Sequence, residues 1–91
     1  MNTLIWTDTF VRTARRFLNK HPDLRGEFEH VLHHIEKDPR HSSLRLHPLK
    51  GKFQGKHAVS LAYSYRIVLI LALQNQEIVL LDIGSHDNVY R

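Results

Sequence analysis

Four side chains in this sequence combine reactive types with informative surroundings: His47, Arg66, His86 and Tyr90. His86 and Tyr90 stand four residues apart in Gly84-Ser85-His86-Asp87-Asn88-Val89-Tyr90, so one helical turn would set them on the same side. An aromatic ring can stack on a base, and an imidazole can move a proton near neutral pH. His47 opens His47-Pro48-Leu49-Lys50-Gly51-Lys52, where proline and glycine fix a loop and two lysines alternate. Alternate residues of an extended segment point the same way. Lys50 and Lys52 either address one backbone together or form a solvated hairpin tip. Arg66 lies inside a strongly apolar run between Tyr65 and Ile67. A charge there is costly if buried unpaired. It must reach an edge, pair with an acid such as Asp82, or face a functional groove.

A further cluster, His30, His33 and His34, has helical spacing that can seat a metal. It lacks the glutamate and third ligand of a catalytic zinc motif. Surface histidines on a polar helical face account for it, and no metal or other cofactor is expected. The chain has no cysteine, which excludes a thiolate nucleophile, a cysteine zinc site and an iron–sulfur cluster.

The elements that must position these residues follow from periodicity. Leu4 to Thr7 reads as a short strand, and Asp8 as an N-cap. Phe10, Ala14 and Phe17 fall at helical spacing, with Arg12, Arg15, Arg16 and Lys20 on the other side. This predicts a basic amphipathic helix over about 8–20. Pro22 suits the first turn of a second helix, whose apolar stripe is Leu24, Phe28, Val31, Leu32 and Ile35. Asp38-Pro39 ends it. Residues 44–47 are a candidate short strand, and 48–55 a turn-rich loop. Three β-rich runs follow, 57–62, 65–73 and 77–83, with Gly84 expected to end the sheet. The fold class is α+β: an N-terminal strand and a two-helix hairpin packed on one face of a twisted antiparallel sheet of about four strands. The helix stripes are expected to bury against Ile67, Leu69, Val79 and Leu81, or against the alternate set Val68, Ile70, Ile78 and Leu80. The opposite face is left for function.

Composition sets the limits. The chain has 91 residues, enough for one domain over 1–91, with 42% hydrophobic and 24% charged residues, as in an ordinary globular protein. The longest apolar run, Ile67 to Leu73, is far short of the roughly 20 residues that span a bilayer. No secretory signal is visible, so a cytoplasmic protein without a membrane partner is expected. The formal net charge is +4, and all 9 acidic residues lie outside the stretch Pro39–Gln76. Within it stand Arg40, Arg45, Lys50, Lys52, Lys56 and Arg66. A one-signed block in a small domain suggests a surface for a polyanion or an acidic protein. A solvated basic face is the alternative.

The segments F-L-N-K-H-P at 17–22, L-R-L-H-P-L-K-G at 44–51, Tyr65-Arg66-Ile67 and D-I-G-S-H-D-N-V-Y at 82–90 resemble the RelE/ParE superfamily of toxins from bacterial type II toxin–antitoxin systems. The ending points to the YafQ-like branch of mRNA interferases. The resemblance implies a metal-independent, ribosome-associated endoribonuclease that cuts mRNA, inhibits translation and is held by an acidic antitoxin. It implies catalytic roles for His47, His86 and Tyr90, and phosphate contacts for Lys50, Lys52 and Arg66. The candidate catalytic set is His47, Arg66, His86 and Tyr90, and Arg45 and Lys56 of the acid-free block join Lys50 and Lys52 as candidate RNA contacts. RNA cleavage of this kind uses the substrate's 2′-hydroxyl as nucleophile. It needs a base, an acid for the leaving 5′-oxygen, and cations for the charge on phosphorus. The sequence leaves open which histidine is base and which is acid. This chain departs from the branch at Ser60 and Ser64, where a further histidine and an acid are found. The departure favours a catalytically silent module that binds an antitoxin or RNA; a gyrase-inhibiting ParE-like toxin of the same superfamily is the other alternative.

Overall fold

A computed structural model describes residues 1–90, Asn88 by its backbone only. Arg91, the last residue of the expected domain, lies outside the described residues. Five strands form one sheet: β1 (Thr3–Trp6), β2 (His47–Pro48), β3 (His57–Leu61), β4 (Tyr65–Ala72) and β5 (Glu77–Ser85). Their order is β1-β5-β4-β3-β2. The helices are α1 (Asp8–Lys20), α2 (Arg25–Lys37) and the short α3 (His86–Val89).

The helix hairpin on an antiparallel meander is as expected. The N-terminal strand corrects the topology: β1 joins the sheet beside β5 and runs parallel to it, so the sheet is mixed. The chain reverses through α1 and α2 before it reaches the meander, which returns it to β5 in the same direction as β1. Thr7, one residue before the expected Asp8, is the N-cap of α1; its Oγ1 accepts from the Phe10 N–H at 3.1 Å. Asp8 instead occupies the first turn, where a carboxylate also suits the helix dipole. Pro22 opens a single 3-10 turn that leads into α2.

Phe10, Ala14 and Phe17 of α1 and Phe28, Val31 and Ile35 of α2 are buried in one core with Val59, Leu61, Ile67, Leu69, Ile78, Leu80 and Ile83. Neither of the two expected strand sets is right. β4 contributes its odd-numbered residues and β5 its even-numbered Ile78 and Leu80, because Leu69 pairs directly with Leu80 and Leu71 with Ile78. Direct partners share a face. The register then shifts: Val68 pairs with Asp82, so Leu81 is an extra residue in β5. This β-bulge carries Ile83 to the helix side and turns Asp82 and Gly84 to the other side. Gly84 does not end the sheet; it pairs with Arg66, and Ser85 with Tyr65.

The expected strand at 44–47 is mostly a turn. Ser42–Leu44 form a 3-10 turn, Leu44 is buried, and Arg45 takes a left-handed backbone with φ 53°. Pairing begins only at His47. The sheet face away from the helices is not bare. Phe53 and Val89 fold over it beside Val68, Ile70 and Leu81, lining a shallow cleft. Val68 and Val89 are buried. Among the described residues no helix is long and apolar enough to cross a membrane.

Candidate functional site

Register fixes where the strand-borne residues stand. His47, Ala58, Val68 and Asp82 are successive direct partners across β2, β3, β4 and β5. Ser60, Arg66 and Gly84 form the next such row on the same face. The alternation of strand side chains therefore puts His47 and Arg66 on the face away from the helix hairpin, two strands apart and one pleat repeat along. The bulge brings the end of β5 onto this scheme, and α3 follows directly from it.

His47 is exposed, and its Nδ1 lies 3.0 Å from the carbonyl oxygen of Arg45. A carbonyl only accepts, so Nδ1 carries the proton and the neutral ring keeps its lone pair on Nε2. The left-handed Arg45 is what turns that carbonyl back toward the ring two residues later. His86 stands edge-on to Tyr90, with ring centroids 4.5 Å apart, and its Nδ1 is 3.7 Å from an Asp87 carboxylate oxygen. The helical spacing read from the sequence thus produces a real contact. The Tyr90 ring also meets Phe53 at 5.7 Å. Its hydroxyl is buried with no hydrogen-bond partner among the described residues. Burial pushes this hydroxyl above its ordinary value, with the Arg66 charge opposing. Tyr90 is therefore a protonated donor without an acceptor among the described residues, and the Arg66 charge reaches it.

Arg66 does not pair with Asp82. Its Nη1 donates to the carbonyls of Tyr65 at 3.0 Å and Tyr63 at 3.5 Å, which bends the guanidinium over the end of the β3–β4 hairpin. Asp82 instead accepts from the Ile83 N–H at 2.8 Å. Among the described residues no carboxylate forms an ion pair with Arg66, and no hydrogen bond or ring contact joins His47 to Arg66, His86 or Tyr90. His86 and Tyr90 are in ring contact and the Arg66 charge reaches Tyr90, while His47 stands two strands from Arg66.

The basic loop is organised by a residue the motif reading passed over. Phe53 has the Lys52 ammonium 5.3 Å and the Lys56 ammonium 5.5 Å from its ring centroid. Lys50 precedes the 3-10 turn Gly51–Phe53, and Gly51 and Gly55 take positive φ there. One aromatic thus ties two lysines to Tyr90. A lone phenylalanine between lysines in a glycine loop was the only sequence signal for it. His57 also enters from the flank. Its Nδ1 is buried without a partner among the described residues, and burial, then the charges of Arg40 and His47, hold it below the usual histidine range. Ser60, directly opposite Arg66, is partly buried, while Ser64 is exposed in the hairpin turn. Among the described residues no group of histidine, aspartate and glutamate side chains is arranged to hold a metal ion.

No family model and no curated protein matches the sequence. Solved structures do. YafQ from E. coli strain BL21(DE3) superposes with a TM-score of 0.83 over 100% of both chains at 11% identity. The E. coli DinJ–YafQ complex gives 0.81, again over 100% of both chains at 11% identity. A YoeB/ParE toxin from Agrobacterium tumefaciens gives 0.77 over 92% of this chain and 98% of its own, at 15% identity. With its helix hairpin, bulged β5 and terminal helical turn, this chain has the fold of the YafQ and YoeB/ParE toxins.

Proposed function

We propose that the chain is the toxin of a toxin–antitoxin pair and that it acts as an endoribonuclease on mRNA at the ribosome, in the cytoplasm. The observation that carries this reading is the face away from the helices. It carries a histidine with its lone pair on Nε2, an arginine without a carboxylate partner among the described residues, a second histidine and a protonated tyrosine. In this reading Nε2 of His47 takes the proton of the 2′-hydroxyl. The freed oxygen attacks phosphorus, a 2′,3′-cyclic phosphate forms, and the bond to the 5′-oxygen breaks. His86, with Asp87 beside it, gives that oxygen its proton. Arg66 balances the charge that builds on phosphorus, and Tyr90 donates to a phosphate oxygen. Arg45, Lys50, Lys52 and Lys56 hold the flanking backbone.

The antitoxin is an acidic segment. The outer surface of the helix hairpin offers it a groove lined by Trp6, Val11, Leu18 and Leu32, with Arg15 and Arg25 beside it. YafQ, which shares this fold, has been solved in a toxin–antitoxin complex with DinJ.

The second reading, a catalytically silent binding module, is favoured by Ser60. A hydroxyl opposite Arg66 offers no group that titrates near neutral pH. Induction of the wild-type chain, followed by mapping of mRNA ends on translating ribosomes, separates the readings. New 5′ ends within coding sequence are expected. Growth arrest with intact mRNA and inhibited gyrase supercoiling would replace the enzyme by a gyrase-directed toxin. Intact mRNA with normal growth would leave the silent module.

A further inference from the structure

A cleft of about 500 Å³ lies between α2 and the edge of β3 that β2 leaves uncovered. The ribonuclease reading draws on two of its residues, Arg66 at phosphorus and Arg45 on the flanking backbone, and leaves the rest of the cleft unused. His30 and His34 form one wall, Ser43 and Arg45 the second, and Ser60 and Arg66 the third. Val31 and Leu44 are its buried apolar residues. Glu27 is its one carboxylate. The volume falls within the range of small-ligand sites, about 300–1,000 Å³.

Three histidine rings run in a row, of which His30 and His34 line the cleft. His30 and His34 are 4.4 Å apart at their centroids, and His34 and His41 are 4.8 Å apart. The far end is pinned: Nδ1 of His41 accepts from the Ser43 N–H at 3.2 Å and lies 2.8 Å from Ser43 Oγ. Partial burial, then the charges of His30, His41, His33 and Lys37, hold His34 below the usual histidine range, so it offers a neutral ring face at pH 7. Neither Arg45 nor Arg66 is in an ion pair among the described residues. Arg45 also occupies a left-handed backbone that a side chain rarely adopts. Leu44, 2% exposed, anchors that turn. Such outliers persist where the surroundings enforce them, and they cluster at binding sites. Two guanidiniums outside any ion pair among the described residues match the oxygens of a phosphate, and flat rings match a base.

We propose that this cleft seats one nucleotide of the RNA strand, the neighbour of the nucleotide at the scissile bond, with its phosphate between Arg45 and Arg66 and its base on the His30–His34 rings. The inference rests on the ribonuclease reading and extends it, with Arg66 and Arg45 common to both. An acidic peptide would satisfy the arginines but make no use of the histidine row.

The test uses RNAs that cannot be cut because the scissile position carries a 2′-deoxy sugar. A dinucleotide spanning that position is lengthened one nucleotide at a time on either side. Binding is measured for the wild type, a His30→Ala/His34→Ala double variant and Arg45→Ala, with circular dichroism as the folding control. One added nucleotide is expected to raise wild-type affinity by about 5- to 150-fold, the range of a single base stack. The double variant is expected to lose that step and still bind the dinucleotide like the wild type. The dinucleotide therefore also reports that the variant is folded. Arg45→Ala is expected to weaken the same step. If the step survives in all variants, the cleft seats no nucleotide, while the ribonuclease reading stands. If the wild type binds no RNA of any length, both fall together. If a glutamate-rich peptide displaces the longer RNA, and the double variant loses the peptide but keeps the step, the cleft is a protein site and the inference is overturned.

Discussion

The His86 ring meets the Tyr90 ring edge-on at 4.5 Å, an interplanar angle of 76°, and Tyr90 in turn leans on Phe53. A histidine fixed this way keeps its orientation without a hydrogen bond to a strand. Removing the imidazole by His86→Ala should lower the rate of mRNA cleavage by roughly 10²–10⁴-fold, the usual contribution of a positioned proton-transfer group. Arg66→Ala should slow it as well through lost charge stabilisation. Primer-extension mapping after induction gives the rates. Cleavage as fast as wild type in both variants would mean that the assigned site is wrong.

Tyr90→Phe separates structure from chemistry, because the two effects have opposite signs. The hydroxyl is buried and unpartnered among the described residues. Its removal keeps both ring contacts and relieves a desolvated group, so unfolding free energy should rise by about 1 kcal/mol. Cleavage should fall at the same time. A urea titration and a single-turnover cleavage assay on the same preparation give the two numbers.

Acid should weaken the fold in part through His57. Its pKa is depressed in the folded state by burial and by Arg40 and His47. The unfolded chain therefore takes up the proton first. The stability that the neutral ring contributes is whole above the ordinary histidine value near 6.5 and is lost as pH falls through the lower folded value. Thermal unfolding between pH 7.5 and 5 should show this loss, and His57→Gln should flatten the curve. An unchanged slope in the variant would assign the loss to other groups.

Trp6 is 43% exposed and stands edge-on to Phe10 at 5.0 Å and Phe28 at 6.1 Å, at the mouth of the groove on the helix hairpin. Trp6→Ala should weaken binding of the acidic partner by about 30-fold or more, as loss of an aromatic anchor does. RNA cleavage by the unbound chain should be unaffected. Isothermal titration with the cognate antitoxin measures the first, and the cleavage assay the second.

Backbone strain gives a prediction away from any site. Gln76 has φ 55° at the hairpin between β4 and β5, where its N–H bonds to Leu73 O at 3.0 Å. Gln76→Gly should stabilise the protein by up to about 1 kcal/mol, since glycine meets no Cβ penalty there. Chemical denaturation reads the sign directly.

The helices were legible because their signals are local. Period and breakers set the ends at Asp8, Lys20 and Lys37 without reference to the rest of the chain. The strand expected at 44–47 failed because burial of Leu44 and a left-handed Arg45 outweigh the alternation of Leu44-Arg45-Leu46-His47. The pairing of core faces failed for another reason. Which residues of β4 and β5 share a side depends on register, which the alternation within each strand does not contain. At the candidate site the four-residue spacing of His86 and Tyr90 was readable as a contact. The closeness of Arg66 to Tyr90 was not, since it depends on the bulge and on the hairpin carbonyls that bend Arg66. Phe53 was invisible for the same reason: its role exists only once the glycine loop folds over the sheet.

Leu81 has one further meaning. A strand keeps count, and every residue added or removed reverses the side on which all later residues emerge. The extra residue at Leu81 is one such reversal, placed four residues before the chain leaves the sheet. It lets one strand keep core residues on the helix side before and after the reversal, Ile78 and Leu80 and then Ile83, while Asp82 and Gly84 face the other way just ahead of the terminal turn. A deletion of one residue there would leave the composition and hydrophobicity almost untouched, yet it would send His86 and Tyr90 out on the wrong face. In this strand parity, as much as residue identity, carries the information.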